Sequence, residues 1–145
     1  MIAFVMAPGP QIIGIAKGVI ETVRKLNWSP DIIHVHGWMA SLFPLYLKTY
    51  YKDEPVFENS KIVTSVYDKS FNESLNKKLV DKILFDEINE ELIKGLKDPS
   101  YNNLVKNAID FSDAIILGSQ KIPTDVQDHL NYSKKKDINK QTQSC

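Results

Sequence analysis

The residues best suited to chemistry lie in one short run, His34-Val35-His36-Gly37-Trp38. His34 and His36 are two positions apart, so on a β-strand their side chains share a face. Two imidazoles can bind a metal ion, but a closed zinc site takes four ligands, and no cluster of cysteine and histidine accompanies this pair. We therefore predict no metal here and interpret both histidines as hydrogen-bonding groups near the end of a strand.

Three other residues each have a chemical and a structural interpretation. Gly37 either brings the backbone close to a ligand or only permits the turn from strand to helix. Trp38 either stacks on a ligand or anchors the core. Asp68 either binds a hydroxyl, acts as a base, or caps the turn after a strand. These interpretations identify no catalytic group, so the catalytic residues stay unassigned.

Known cofactor motifs are missing from the sequence. There is no GxGxxG dinucleotide fingerprint and no GxxxxGK[ST] phosphate loop. Gly118-Ser119 lacks the second glycine of a serine nucleophile elbow. We therefore predict neither a bound cofactor nor a metal.

The composition excludes several classes of protein. The 145 residues carry 18 basic and 18 acidic side chains, a balance that argues against a nucleic-acid partner. No apolar run of about 18 residues is available to cross a membrane, and Met1 to Ala7 lacks the basic start of a secretory signal. Cys145 is the single cysteine and fits a reducing compartment. The expectation is a cytoplasmic protein.

Strand-like and helix-like segments alternate along the chain. Apolar residues recur every three or four positions from Ile12 to Leu26, which predicts a helix. Short β-branched runs predict buried strands, and further helical periods lie between and after them. This order predicts an α/β fold, a Rossmann-like parallel sheet flanked by helices. The predicted strands are 31–36, 61–67 and 113–119; the later helical segments lie in 38–51, 72–97, 101–111 and 123–130.

The last fourteen residues differ from the rest. Tyr132–Cys145 holds four lysines, one aspartate and a single aliphatic residue, so it cannot bury enough surface to offset the entropy of ordering it. We predict a folded domain over residues 1–131 and a disordered lysine-rich tail over 132–145. Without that tail, the formal net charge is −3.

Ligands of parallel α/β sheets bind at the carboxyl ends of the strands. Three such ends are readable here: His36-Gly37-Trp38, Tyr67-Asp68-Lys69 and Gly118-Ser119-Gln120. We expect any binding site to lie among them.

The segment Trp28-Ser29-Pro30-Asp31-Ile32-Ile33-His34-Val35-His36-Gly37-Trp38-Met39 resembles a signature of the bacterial glycogen synthases and plant starch synthases. In that family, Pro-Asp and two apolar residues precede His-x-His-Asp-Trp-His, where a strand runs into a helix. Two weaker landmarks follow in the family's order, at 61–68 and 107–119. The resemblance covers residues 17–130.

The resemblance implies part of the N-terminal, acceptor-side lobe of a GT-B glycosyltransferase. Its family transfers glucose from ADP-glucose to an α-1,4-glucan such as glycogen, without a metal. It implies that His36, Gly37, Trp38, Tyr67 and Asp68 bind substrate. Three departures stand out: Gly37 replaces the motif's aspartate, Met39 its last histidine, and Tyr67-Asp68 a later His-Asn pair.

The resemblance also places a nucleotide-binding loop upstream of Met1 and a second lobe beyond Cys145, both outside this chain. Together with the three departures, this predicts that the isolated chain transfers no glucose. Two alternatives stay open: a non-catalytic module that binds glucan or a protein, and a fragment of another GT-B glycosyltransferase. An incomplete sheet leaves unpaired edges, which predicts self-association.

Overall fold

The predicted sheet is present and entirely parallel. A computed structural model describes residues 11–133 and 135–137. Within them four strands pair in the order β1-β2-β3-β4, and every pairing is parallel. The strands are β1 (Ile32–His36), β2 (Lys61–Val66), β3 (Ala114–Leu117) and β4 (Lys136–Asp137). The predicted α/β class is confirmed.

Helices precede, connect and follow the strands as the periodicity predicts. The α-helices of the described residues are α1 (Gln11–Lys25), α2 (Phe43–Lys48), α3 (Lys78–Phe85), α4 (Tyr101–Asp110) and α5 (Thr124–Ser133). Because Pro44 is tolerated only in the first turn of a helix, α2 begins at the residue before it. In the described part of the chain, every helix is too short or too polar to cross a bilayer.

The polar stretch after β2 divides into two helical segments. α3 ends at Phe85, and Glu87 adopts a left-handed backbone with φ 62° that a continuing helix cannot contain. A 3₁₀ helix follows over Glu90–Lys97. The Asn89 side chain caps it by accepting a hydrogen bond from the Glu91 amide at 2.9 Å.

The helices pack on one face of the sheet. Strand register pairs Ile33 with Ile62 and Val35 with Thr64, so these four residues share a face. One core cluster packs α1, α2 and α3 against Val35 and Ile62. A second packs α4 and α5 against Val66 and Ile115, which lie on the same face by register. The opposite face of β1 carries His34 and His36.

Strand β1 is more exposed than predicted. Ile32 is 65% exposed, both histidines are exposed, and Val35 alone in this strand is buried. β1 lies at the edge of the described sheet and pairs only with β2 there. The prediction of a buried strand is wrong for this segment, because a β-branched run is the same whether its strand is central or at an edge.

Part of the segment predicted as a tail lies within the described residues. α5 continues through Ser133, and β4 pairs Lys136 and Asp137 in parallel with Ala114 and Ile115. Backbone pairing to β3 thus includes two residues of the segment predicted as a tail, and the extent of the folded domain stays a prediction. Residues 138–145 of the predicted tail lie outside the described residues.

Candidate functional site

The carboxyl ends of β1 and β2 meet through a side-chain hydrogen bond. His36 is the last residue of β1, and Tyr67 follows directly after β2. The His36 Nδ1 lies 2.8 Å from the Tyr67 hydroxyl, and the two ring planes are inclined by 28° with centroids 6.2 Å apart. Two residues that the sequence predicted as binding residues are therefore direct neighbours.

Gly37 makes the turn out of β1 possible. Its backbone has φ 75° and ψ 165°, a region that is almost exclusive to glycine. An added Cβ would meet nothing within 4 Å, so backbone strain and not crowding excludes a side chain here. The turn leads into a 3₁₀ segment over Trp38–Ala40. This geometry fits the role of Gly37 in the turn from strand to helix. Its close approach to a ligand stays a prediction.

Trp38 is a core anchor and a surface residue at once. The half-buried indole packs against both core clusters. Its ring meets Phe71 edge to face at 4.9 Å, and Phe71 meets Tyr101 in the same manner at 5.5 Å. Because edge-to-face contacts fix the orientation of both rings, the exposed part of the indole is held in one position.

An open groove of about 610 Å³ lies beside this indole. Its walls are Trp38, Phe71 and the polar segment 72–76, which supplies two asparagines, a glutamate and a serine. Segment 72–76 was not among the predicted site residues. A pattern that could have indicated it is the aromatic residue Phe71 inside a polar stretch shortly after the end of β2. An aromatic wall facing amide and carboxylate groups is an arrangement that suits a polyhydroxylated ligand with apolar ring faces.

A smaller cavity of about 10 Å³ lies beneath the same strand ends. It is lined by Gly37, Trp38, Ser41 and Tyr101 among others. This volume matches a single water molecule. A sugar-sized ligand therefore has room in the groove and none in the cavity.

Asp68 is exposed and caps the turn after β2. Its carboxylate accepts a hydrogen bond from the Lys69 amide at 2.8 Å, and its own amide donates to the Ser119 hydroxyl at 3.3 Å. The second contact joins the ends of β2 and β3. The capping interpretation fits this geometry, while binding of a ligand hydroxyl stays a prediction.

The second histidine of the pair is held in the same way as the first. The His34 Nε2 lies 2.7 Å from the Ser65 hydroxyl. Burial and the neighbouring His36 lower the pKa of His34 below its ordinary value, so the ring is neutral at pH 7. Across residues 11–133 and 135–137, no three histidine, cysteine or acidic side chains converge as a metal site requires.

Comparison with known proteins assigns most of the chain to one family model. The model described as the starch synthase catalytic domain matches residues 10–138. The glycogen synthase of Chlorobium phaeovibrioides is 36% identical over 102 residues, which are 70% of this chain and 20% of that protein. The glycogen synthase of Thermotoga maritima is 30% identical over 121 residues, 82% of this chain and 24% of that protein.

The aligned region is a small part of these relatives. The chain spans about a fifth to a quarter of the length of the curated glycogen synthases that it matches. No solved structure matches the chain significantly.

Proposed function

The chain belongs to the family of the starch synthase catalytic domain, and on that basis we propose that the carboxyl edge of its sheet binds an α-1,4-glucan. The observation that carries the proposal is the position of Trp38. This residue lies in the segment that resembles the family signature, and it also forms a wall of the open groove. Glycogen is the glucan to test.

The composition of the groove supports a carbohydrate ligand. The apolar face of a glucose ring packs on an aromatic side chain, and its hydroxyls need hydrogen-bonding groups placed around it. Trp38 and Phe71 supply the aromatic side chains, and Asn72, Glu73 and Asn76 supply the polar groups. His36, Tyr67 and Asp68 lie at the same edge of the sheet and extend the proposed surface.

We propose further that the family reaction, glucosyl transfer from ADP-glucose, does not occur on this chain alone. Gly37 and Met39 cannot supply the charge and hydrogen bonds of the aspartate and histidine that the resemblance places there. The loss of a single group that stabilises developing charge costs about 10²–10³ in rate. When the purified chain is incubated with labelled ADP-glucose and glycogen, no label should appear in the glycogen. Labelling of glycogen above that of a heat-killed control would contradict this part of the proposal.

Affinity electrophoresis through gels with and without glycogen tests the binding. The intact chain should be retarded in the glycogen gel, and Trp38→Ala should abolish the retardation because it removes the aromatic wall. Trp28→Ala is the matched control, since Trp28 is 59% exposed and lies outside the groove. This control should be retarded like the intact chain.

A second variant guards against misfolding of Trp38→Ala, which also loses packing against the core. Asn72 and Glu73 are exposed on the groove wall, so the double variant N72A/E73A should fold normally and bind glycogen more weakly. Equal retardation of N72A/E73A and the intact chain would show that the groove is not the binding surface.

Strand β1 favours self-association as a second candidate function. Its outer edge is unpaired within the described sheet, and Ile32 beside it is 65% exposed. Such an edge can pair with another chain. We propose that the protein forms oligomers through β1. We also propose that it is cytoplasmic, because its single cysteine fits a reducing compartment. Sedimentation should show that Ile32→Lys lowers the average mass, and a monomeric intact chain would contradict the idea.

A further inference from the structure

The ring of Tyr67 lies directly on the backbone of Gly118. A Cβ added at Gly118 would overlap Cε1 of Tyr67 and would lie 2.7 Å from Cδ1 and from Cζ. Carbon atoms that are not bonded do not approach this closely, since the optimal separation is about 3.5–4.0 Å. No residue other than glycine fits at position 118 while the Tyr67 ring stays in place.

The need for glycine at this position is steric and does not come from backbone conformation. Among the glycines of the described residues only Gly37 has a positive φ, so Gly118 has a backbone that any residue can adopt. Its amide donates to the Val66 carbonyl at 2.8 Å, which continues the pairing of β2 and β3 by one bond. The ring of Tyr67 alone therefore excludes a side chain from Gly118.

Two hydrogen bonds hold the backbone at Tyr67 in place. Its carbonyl accepts a hydrogen bond from the buried Tyr101 hydroxyl at 2.9 Å. The next amide, that of Asp68, donates to the Ser119 hydroxyl. With the backbone held on both sides, a side chain at position 118 would rotate the Tyr67 ring about its side-chain torsions. That rotation would carry the hydroxyl away from His36.

We propose that Gly118 is a positioning residue for His36, acting through Tyr67. The missing side chain directly after β3 leaves room for the Tyr67 ring at the strand end, where its hydroxyl holds Nδ1 of His36 on β1. Any effect on glycogen binding rests on the proposed function, because a misplaced His36 ring changes the affinity for glycogen only if the carboxyl edge of the sheet binds it. The positioning itself is independent of any ligand.

Gly118→Ala in the full chain tests the proposal. The side-chain nitrogen signals of His36 in a ¹H–¹⁵N NMR spectrum should shift toward those of Tyr67→Phe, which lacks the hydroxyl. Gly14→Ala is the matched control, since an added Cβ there meets nothing within 4 Å. It should leave the His36 signals unchanged. Unchanged His36 signals in folded Gly118→Ala would overturn the proposal.

A double variant keeps the test valid if Gly118→Ala fails to fold. In a Tyr67→Ala background the ring is absent, so adding Gly118→Ala should cause no further loss of thermal stability. An equal loss in both backgrounds would show that the ring is not the cause. Glycogen affinity separates the two proposals: shifted His36 signals with unchanged affinity would uphold the positioning and count against His36 as a glucan ligand.

Discussion

The imidazoles of His34 and His36 lie against each other on the exposed face of β1, with ring centroids 3.9 Å apart and ring planes inclined at 42°. Each ring uses one nitrogen in a hydrogen bond to a hydroxyl of the next segment, Ser65 for His34 and Tyr67 for His36. Burial, with a further contribution from His36, keeps the pKa of His34 below its ordinary value.

This pair predicts a pH dependence of stability. Since the pKa of His34 is lowered in the folded state, the unfolded chain binds more protons as the pH falls below about 6.5. The contribution of His34 to the free energy of unfolding should therefore decrease from pH 7 toward the lowered pKa and level off beneath it. Urea unfolding of the intact chain and of His34→Gln between pH 5 and 8 measures the effect. The variant should show a shallower decrease, and identical slopes would rule out this contribution.

Asp86 links three helices, and its loss should destabilise the fold. Its carboxylate accepts hydrogen bonds from the Lys17 ammonium and the Tyr46 hydroxyl, both at 2.6 Å. Tyr46 is fully buried, and this burial, together with the bond to Asp86, raises the pKa of its hydroxyl. Asp86→Ala leaves that hydroxyl without an acceptor, which costs about 1–3 kcal/mol in the free energy of unfolding.

Chemical denaturation checks this prediction with two controls. Asp86→Asn keeps an acceptor for Tyr46 and loses the charge, so it should cost less than Asp86→Ala. Glu91→Ala breaks an ion pair with Lys94 in which both side chains are 71% exposed, and it should change stability by less than about 0.5 kcal/mol. Equal losses for all three variants would contradict the assigned role of Asp86.

The buried hydroxyls of Thr64 and Ser112 should differ in importance. They lie 2.6 Å apart, and Ser112 donates its single proton to the Ala108 carbonyl at 2.6 Å. Thr64 must therefore donate to Ser112. Ser112→Ala leaves the Thr64 proton unpaired in the core and should cost about 1–3 kcal/mol, whereas Thr64→Val should cost less because no donor is stranded. Thermal unfolding of both variants gives the order, and the reverse order would refute this assignment of donors.

Truncation of a buried leucine should destabilise the fold far more than truncation of an exposed one. Leu42 is fully buried in the larger cluster, and Leu26 is 69% exposed at the end of α1. Leu42→Ala should lower the free energy of unfolding by about 2–5 kcal/mol, because the neighbours cannot close the cavity completely. Leu26→Ala should stay within about 0.5 kcal/mol. Comparable losses at both positions would mean that Leu26 is covered in solution.

Local patterns predicted the elements well because the forces behind them are local. The apolar period of α1 follows from helix geometry, in which every third or fourth residue lies on the same face. The wrong prediction, burial of β1, concerns the position of a strand in the sheet. That position depends on which strands pair, and no residue of a β-branched run encodes it.

The sequence by itself determined the parallel α/β order and the family that the chain resembles, and it predicted the three strand ends at which a site is expected. These follow from periodicity, from turn residues and from a run of adjacent residues around His36. Only the tertiary structure decided that Tyr67 would hold His36, that Phe71 would wall a groove with Trp38, and that Gly118 must lack a side chain. Each of these contacts joins residues more than 30 positions apart, and their distances are fixed by the packing of three strands and a loop together.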